Sequence, residues 1–297
     1  MKLGFVCTNY NNAGLTRAVV ASLHATGRWD DLRVVVVDNR SHEEDVAALR
    51  AVAREFPGLI LVPNEENVGY FRGLNVGLHR LRKEHPEVEH VVVGNNDLEF
   101  PSDFVATVER YRDVFDRWAV VAPDLVTPGG VHQNPHVRLP IGRIRKLLWD
   151  LHFLSYATAA VVRFGARISR SFTIRPENAA GSDLHLTPGP IEQGYGACYI
   201  LGPVFFRHFA ALCAPTFLLH EEFFLYEQLL AIGQMTYYDP RFVVRHRHHS
   251  TTGVLPNRRL WALGRDAHRM YKQYLGLTPA ERIRFLAAWG GAPVTQR

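Results

Sequence analysis

At 297 residues, 47% hydrophobic and 21% charged, the chain has the make-up of a soluble globular protein of enzyme size, one large α/β domain or a domain with an appendage. A formal charge of +5 favours acidic partners such as nucleotides, phosphates or an anionic membrane surface, and with no DNA- or RNA-reading motif present, nucleic acid is not an expected partner. The three cysteines, Cys7, Cys198 and Cys213, are odd in number and widely spaced, which excludes a disulfide framework or a zinc knuckle and points to a reducing cytoplasm.

Lys2 to Thr8 reads as a short apolar strand, leaving no room for a signal peptide, and Asn9 to Asn12 supply turn residues. Leu15, Val19, Val20 and Leu23 recur at helical spacing through His24. Val34 to Val37 form a second buried strand that ends in Asp38-Asn39-Arg40-Ser41, and Glu43 to Phe56 alternates as a surface helix. Leu59 to Val62 is a third strand, after which Asn67 to Gly77 leads into a third helix. The fourth strand, His90 to Val93, carries three consecutive valines, the habit of a strand covered on both faces. It runs directly into Gly94-Asn95-Asn96-Asp97. A helix is expected from Pro101 to about Phe115.

Four strand-then-helix units imply a mostly parallel, Rossmann-like sheet with right-handed crossovers. Three strand ends carry Asn, Asp, Ser or Thr clusters on one rim, where ligands of such sheets gather. Asp97 and its amides could hold a hard cation, or simply turn the chain. Asp38 could pair with a base N–H, or cap a helix. The GxxxGxxxG spacing of Gly69, Gly73 and Gly77 fits close approach to a diphosphate or tight helix packing. It is neither a dinucleotide fingerprint nor a P-loop.

Thr8-Asn-Tyr-Asn11, Val37-Asp-Asn-Arg-Ser41, Asn67 to Asn75 and Gly94-Asn-Asn-Asp97 together resemble the family 2 glycosyltransferases of the GT-A fold. The likeness is nearest to bacterial rhamnosyltransferase-like enzymes of surface polysaccharide synthesis. It covers about residues 1–125 and resumes near 191–253, implying a GT-A catalytic domain over 1–253 and a helical extension over 254–297. Residues 1–125 would be its nucleotide-sugar half and 126–253 its acceptor half. The resemblance implies a dTDP-, UDP- or GDP-linked sugar donor, a glycan or lipid-linked acceptor, and Mg or Mn as cofactor. Donor contacts would come from Thr8, Tyr10, Asn11, Asp38, Ser41, Asn67, Gly69, Arg72, Gly73, Asn75, Asn95 and Asn96, with Asp38 on the base. Asp97 matches the carboxylate of a degenerate DxD motif. Arg40 and Arg72 stand where smaller residues are usual.

Residues 124–190 carry little signal: prolines 128, 135 and 140 punctuate loops, Arg143 to Trp149 begins a basic amphipathic helix, and 181–190 reads as a mobile loop. That helix either packs on the sheet or lies beside an acceptor or membrane surface. Leu147 to Phe164, the longest apolar run, contains Asp150 and His152 and makes a poor membrane span. Gly196 to Gly202 returns as a strand. Glu221 and Glu222 then enter an otherwise apolar helix, where burial would raise a carboxyl pKa and favour a general base; helix-dipole charge is the plainer reading. By resemblance Glu222 is the catalytic base, in place of the usual Asp, and Glu221 orients acceptor or backbone. Tyr237 to Arg245 is a strand, and His246 matches a family histidine that resembles a metal ligand or diphosphate contact. His248 and His249 beside it raise zinc, which their spacing argues against. From Asn257 the chain is basic and helical with interleaved aromatics, a face for packing, a homodimer or peripheral membrane contact.

The expected protein is therefore a cytoplasmic, metal-dependent, inverting glycosyltransferase. A sugar nucleotidyltransferase and a non-catalytic nucleotide- or sugar-binding module are the rivals. The glycine-rich, Arg- and Lys-bearing N-terminal loop of a nucleotidyltransferase is missing from this sequence.

Overall fold

The computed structural model describes residues 1–137, 142–168, 183–247 and 257–291. The first half alternates strand and helix: β1 (Leu3–Asn9), α1 (Ala13–His24), β2 (Leu32–Asp38), α2 (Glu43–Glu55), β3 (Ile60–Pro63), α3 (Tyr70–Glu84) and β4 (His90–Gly94). A two-residue β5 (Leu98–Glu99), α4 (Phe104–Arg110), α5 (Val114–Arg117) and β6 (Val120–Val126) follow. Then come α6 (Arg143–Leu154), α7 (Tyr156–Ile168), β7 (Gly189–Ile191), β8 (Cys198–Leu201), α8 (Pro203–His208), α9 (Glu221–Leu230), β9 (Thr236–His246), α10 (Asn257–Leu275) and α11 (Pro279–Ala288).

The nine strands among the described residues join one sheet in the order β3-β2-β1-β4-β8-β6-β9-β5, with β7 also on β9. Strands β3, β2, β1 and β4 are mutually parallel, and β8 enters antiparallel between β4 and β6. The valine runs are buried on both faces because alternate residues feed different layers. Val34, Val36 and Val92 pack with Phe5 against α1, α2 and α4. Val35, Val37, Val91 and Val93 pack with Val6 against α3, α8 and α9. Gly77 lets α3 lie close on this second face, since a Cβ there would meet Val6 and Val37. The fold is thus the mostly parallel α/β sheet flanked by helices that the sequence implies.

Two expectations need correction. The helix from Pro101 is two pieces, α4 and α5, separated at Tyr111–Asp113, where the amide of Val114 bonds back to the Tyr111 carbonyl as a turn. The described part of the 181–190 stretch is ordered: a 3-10 turn over Asp183–Leu186 precedes β7, and the Tyr238 hydroxyl donates to the His185 carbonyl at 2.6 Å. The apolar run from Leu147 is broken at Ser155 into two helices. No helix among the described residues is long and apolar enough to cross a membrane. His248 and His249, like the 253/254 boundary, lie outside the described residues. Cys7, Cys198 and Cys213 are free and buried.

The C-terminal helices pack on α9. Phe224 of α9, Cys213, Tyr274 and Leu286 form a small third core, and Tyr274 donates to Glu227 at 2.9 Å.

Candidate active site

Register sets the rim. Asn9 at the end of β1 pairs with Asp38 at the end of β2, and Cys7 pairs with Gly94 at the end of β4. The polar tips of three parallel strands therefore emerge side by side, next to a cleft of about 500 Å³. Thr8, Tyr10, Asn67, Gly69, Asn95, Asn96 and Asp97 line it from the N-terminal half, and Glu221, Glu222 and His246 from the C-terminal half.

Asp97 is buried, at 3% exposure, and neither of its oxygens has a well-aligned hydrogen-bond donor among the described residues. His246 faces it as a charge partner, Nε2 lying 3.2 Å from Oδ1. Burial pushes the Asp97 carboxyl up, but His246 and then Asn95 outweigh it and hold the group below its ordinary value. The other ring nitrogen of His246 is 2.7 Å from Gln133 Oε1, which fixes the ring's orientation.

Across the cleft, Leu219 and His220 both adopt left-handed backbone, φ 73° and 64°, immediately before α9. Two such residues in succession are costly outside glycine, and here they swing Glu221 and Glu222 into the helix's first turn. Glu222, half-buried, accepts from the Gly196 amide at 3.1 Å. Glu221 is buried, and its Oε1 has no hydrogen-bond partner among the described residues. Burial, then the adjacent Glu222, pushes its carboxyl up to about 8. Tyr195 links the two walls: burial, then the charges of Glu222 and Asp97, raises its phenol. Carboxylates 97 and 222 thus share one site.

Several expected donor contacts sit elsewhere. Asp38 is 3% exposed and absent from the cleft lining; it accepts from the Asn9 side chain and the Ser41 amide. Ser41 in turn accepts from Asn9 and from the Asn11 amide, so Asp38, Ser41 and Asn11 form a rim network. Asn96 borders the cleft, yet its amide group is spent on Asn9, Asn12 and Thr16. Gly73 admits α3 against Thr8 and Asn39 rather than a ligand. Arg72 donates to the Ala214 and Pro215 carbonyls and lies 4.8 Å from the Trp289 ring centroid. Asn75 exchanges two hydrogen bonds with the backbone of Leu212. Both brace the 211–215 loop and not the cleft. Gly69 is at a true close approach: its φ is 90°, Tyr70 N–H donates to the Phe217 carbonyl at 3.0 Å, and a Cβ would overlap that oxygen.

Tyr70, Tyr195, Gly196, Phe217 and Arg259 line the cleft without having been singled out as site residues. The Gly194-Tyr195-Gly196 run was the one available signal for two of them.

The sequence model described as glycosyl transferase family 2 matches residues 5–166, and the chain belongs to that family. Its fold is that of the GT-A glycosyltransferases. A mannosyltransferase, PcManGT from Pyrobaculum calidifontis, solved with GDP-Man and Mn2+, superposes with a TM-score of 0.50 at 18% identity, covering 97% of this chain and 68% of that one. GalNAc-T7, solved with UDP, GalNAc and Mn2+, gives 0.54 at 12% identity over 86% of this chain and 45% of that one. TarS of S. aureus gives 0.51 at 14% over 97% and 43%. No curated protein matches the chain in sequence.

Proposed function

We propose that this protein is an inverting glycosyltransferase that moves a sugar from a nucleotide-diphosphate donor to a hydroxyl of a glycan or lipid-linked acceptor, in bacterial cell-surface polysaccharide synthesis. The observation that carries this reading is the single cleft in which Asp97 and His246 face an acid pair at the start of α9. Residues 1–125 would hold the donor and 126–253 the acceptor, with 254–297 as a buttress.

In this reading Glu222 accepts the proton of the acceptor hydroxyl as that oxygen bonds to the anomeric carbon and the bond to the diphosphate breaks. The Gly196 amide holds the carboxylate in place. Glu221, protonated near neutrality, donates a hydrogen bond to the acceptor. Asn67, Asn95, Thr8 and Tyr10 contact the donor from the strand tips.

A divalent cation, Mg or Mn, fits the donor set at Asp97. A buried carboxylate lacking aligned donors and an oriented imidazole are both competent ligands. No group of three His, Cys, Asp or Glu side chains surrounds one point among the described residues, so phosphate oxygens would complete the shell, the usual habit of Mg in nucleotide sites. When bound, the cation would neutralise charge on the departing diphosphate.

The direct test is a thermal-shift screen of UDP-, dTDP- and GDP-linked sugars with Mn, followed by measurement of slow donor hydrolysis. Stabilisation by one nucleotide class with turnover is expected. Binding without any hydrolysis or transfer would favour a non-catalytic binding module instead.

A further inference from the structure

The cleft leaves unexplained a surface beside it. Helix α6 inserts one face into the molecule: Trp149 packs on His220, Asp150 bonds His268 at 2.8 Å, and Phe153 meets His268. The opposite face points outward and is apolar. Ile144, Leu147, Leu151 and Leu154 recur at three- and four-residue steps and are 73%, 58%, 42% and 71% exposed. Val161 of α7 is likewise 71% exposed. Scattered apolar residues on a surface are ordinary, but a helix showing its apolar stripe to the outside is not.

Charge identifies the occupant. Between Arg143 and Val162 the only acid is Asp150, and it is paired with His268 and Lys272. Exposed Lys146 stands on α6, within electrostatic reach of Glu192, and Arg258 lies over the Tyr156 ring at the hairpin's elbow. Trp261 anchors that elbow by donating to the His152 carbonyl at 3.0 Å. A second copy of the chain would set this basic border against itself, whereas an anionic lipid surface answers both its apolar and its cationic part. The inner face of α6 reaches the cleft wall. Phe153 and Leu219 meet α10 together at Gly264, and Leu219 and Arg259 line the cleft.

We propose that the α6–α7 hairpin is an interfacial anchor, laying its Ile144–Leu154 stripe into an anionic bilayer and so holding the cleft mouth at the membrane surface. Only the corollary, that the acceptor hydroxyl is carried on a lipid, rests on the transferase reading.

Co-sedimentation of the full chain with vesicles of phosphatidylglycerol and phosphatidylcholine in equal parts tests this, with pure phosphatidylcholine for comparison. The protein is expected to pellet with the anionic vesicles and much less with the neutral ones. Leu147→Ser with Leu154→Ser, both solvent-exposed, is expected to keep the thermal unfolding temperature and to weaken partitioning at least about tenfold, since each leucine withdrawn from water contributes on the order of that factor. Lys146→Glu with Arg258→Glu is expected to weaken binding to anionic vesicles only. A wild-type protein that stays in the supernatant, or leucine variants that pellet like wild type, would overturn the anchor. So would a wild-type dimer that the leucine substitutions disperse. Donor hydrolysis, read in parallel without vesicles, separates the two readings: vesicle binding without any hydrolysis refutes the transferase and leaves the anchor standing.

Discussion

The adjacent acids at the start of α9 make opposite demands on substitution by glutamine. Glu221 is buried with its carboxyl raised to about 8, so at pH 7 it is protonated by about ten to one. Glutamine reproduces the size and hydrogen-bonding capacity of that neutral acid, and Glu221→Gln is expected to lower transfer by less than about tenfold. Glu222, seated on the Gly196 amide, is the proposed proton acceptor, and Glu222→Gln removes that function. General-base catalysis contributes about 10²- to 10⁴-fold, or roughly 3–5 kcal/mol of barrier. Initial rates at saturating donor, with donor affinity measured separately by calorimetry, are the assay. Transfer should fall by that factor in Glu222→Gln while donor affinity holds. If Glu221→Gln loses as much activity as Glu222→Gln, or if Glu222→Gln loses donor affinity in proportion, the division of roles between the two is wrong.

Other expectations follow from the same geometry. Asp97→Ala should weaken donor binding in Mn while leaving any Mn-independent binding alone; a metal titration identical to wild type would remove Asp97 from the site. Glu221 binds its proton in the folded state between its ordinary 4.5 and about 8, where the unfolded chain has already released it. Stability should therefore fall as pH rises across that window, and unfolding temperatures measured from pH 5 to 9 should fall less steeply in Glu221→Gln. Gly69→Ala forces a side chain into left-handed backbone against the Phe217 carbonyl, costing roughly 2 kcal/mol or more, seen as a drop of several degrees in unfolding temperature. Arg72→Ala should cost about 1–2 kcal/mol of stability through the 211–215 loop and Trp289, with donor affinity unchanged; a fall in affinity would return Arg72 to the donor site.

The parts of the fold legible in the sequence were those with one-dimensional signatures. Val34–Val37 and Val91–Val93 announce strands covered on both sides, because no other element needs an unbroken β-branched run, and the polar residues just beyond them mark the rim. The two-residue β5 and the three-residue β7 have no such signature: their pairing is specified by β9, which lies far along the chain. Helix α3 shows why site residues were harder. Gly69, Gly73 and Gly77 share one face, and spacing alone cannot say whether that face meets a diphosphate or a sheet; only Gly69 borders the cleft. Arg72 and Asn75 leave the helix toward residues 211–215, partners 142 and 137 positions away that no local pattern foretells. The Glu221–Glu222 pair was conspicuous because adjacent acids among phenylalanines are costly unless they are used. Tyr195 was not, since a tyrosine between glycines looks like any turn.

Strand β8 slots between β4 and β6, and this bears on how the protein can change. A fragment ending at residue 125 would leave β4 with an open edge and β6 with no neighbour, so the front half cannot be expected to stand alone as a module. The helical hairpin over residues 142–168 is different, for it contributes no strand to any ladder. Its ties run instead to His220 and to α10, so a change in its outer face leaves every rung of the sheet in place.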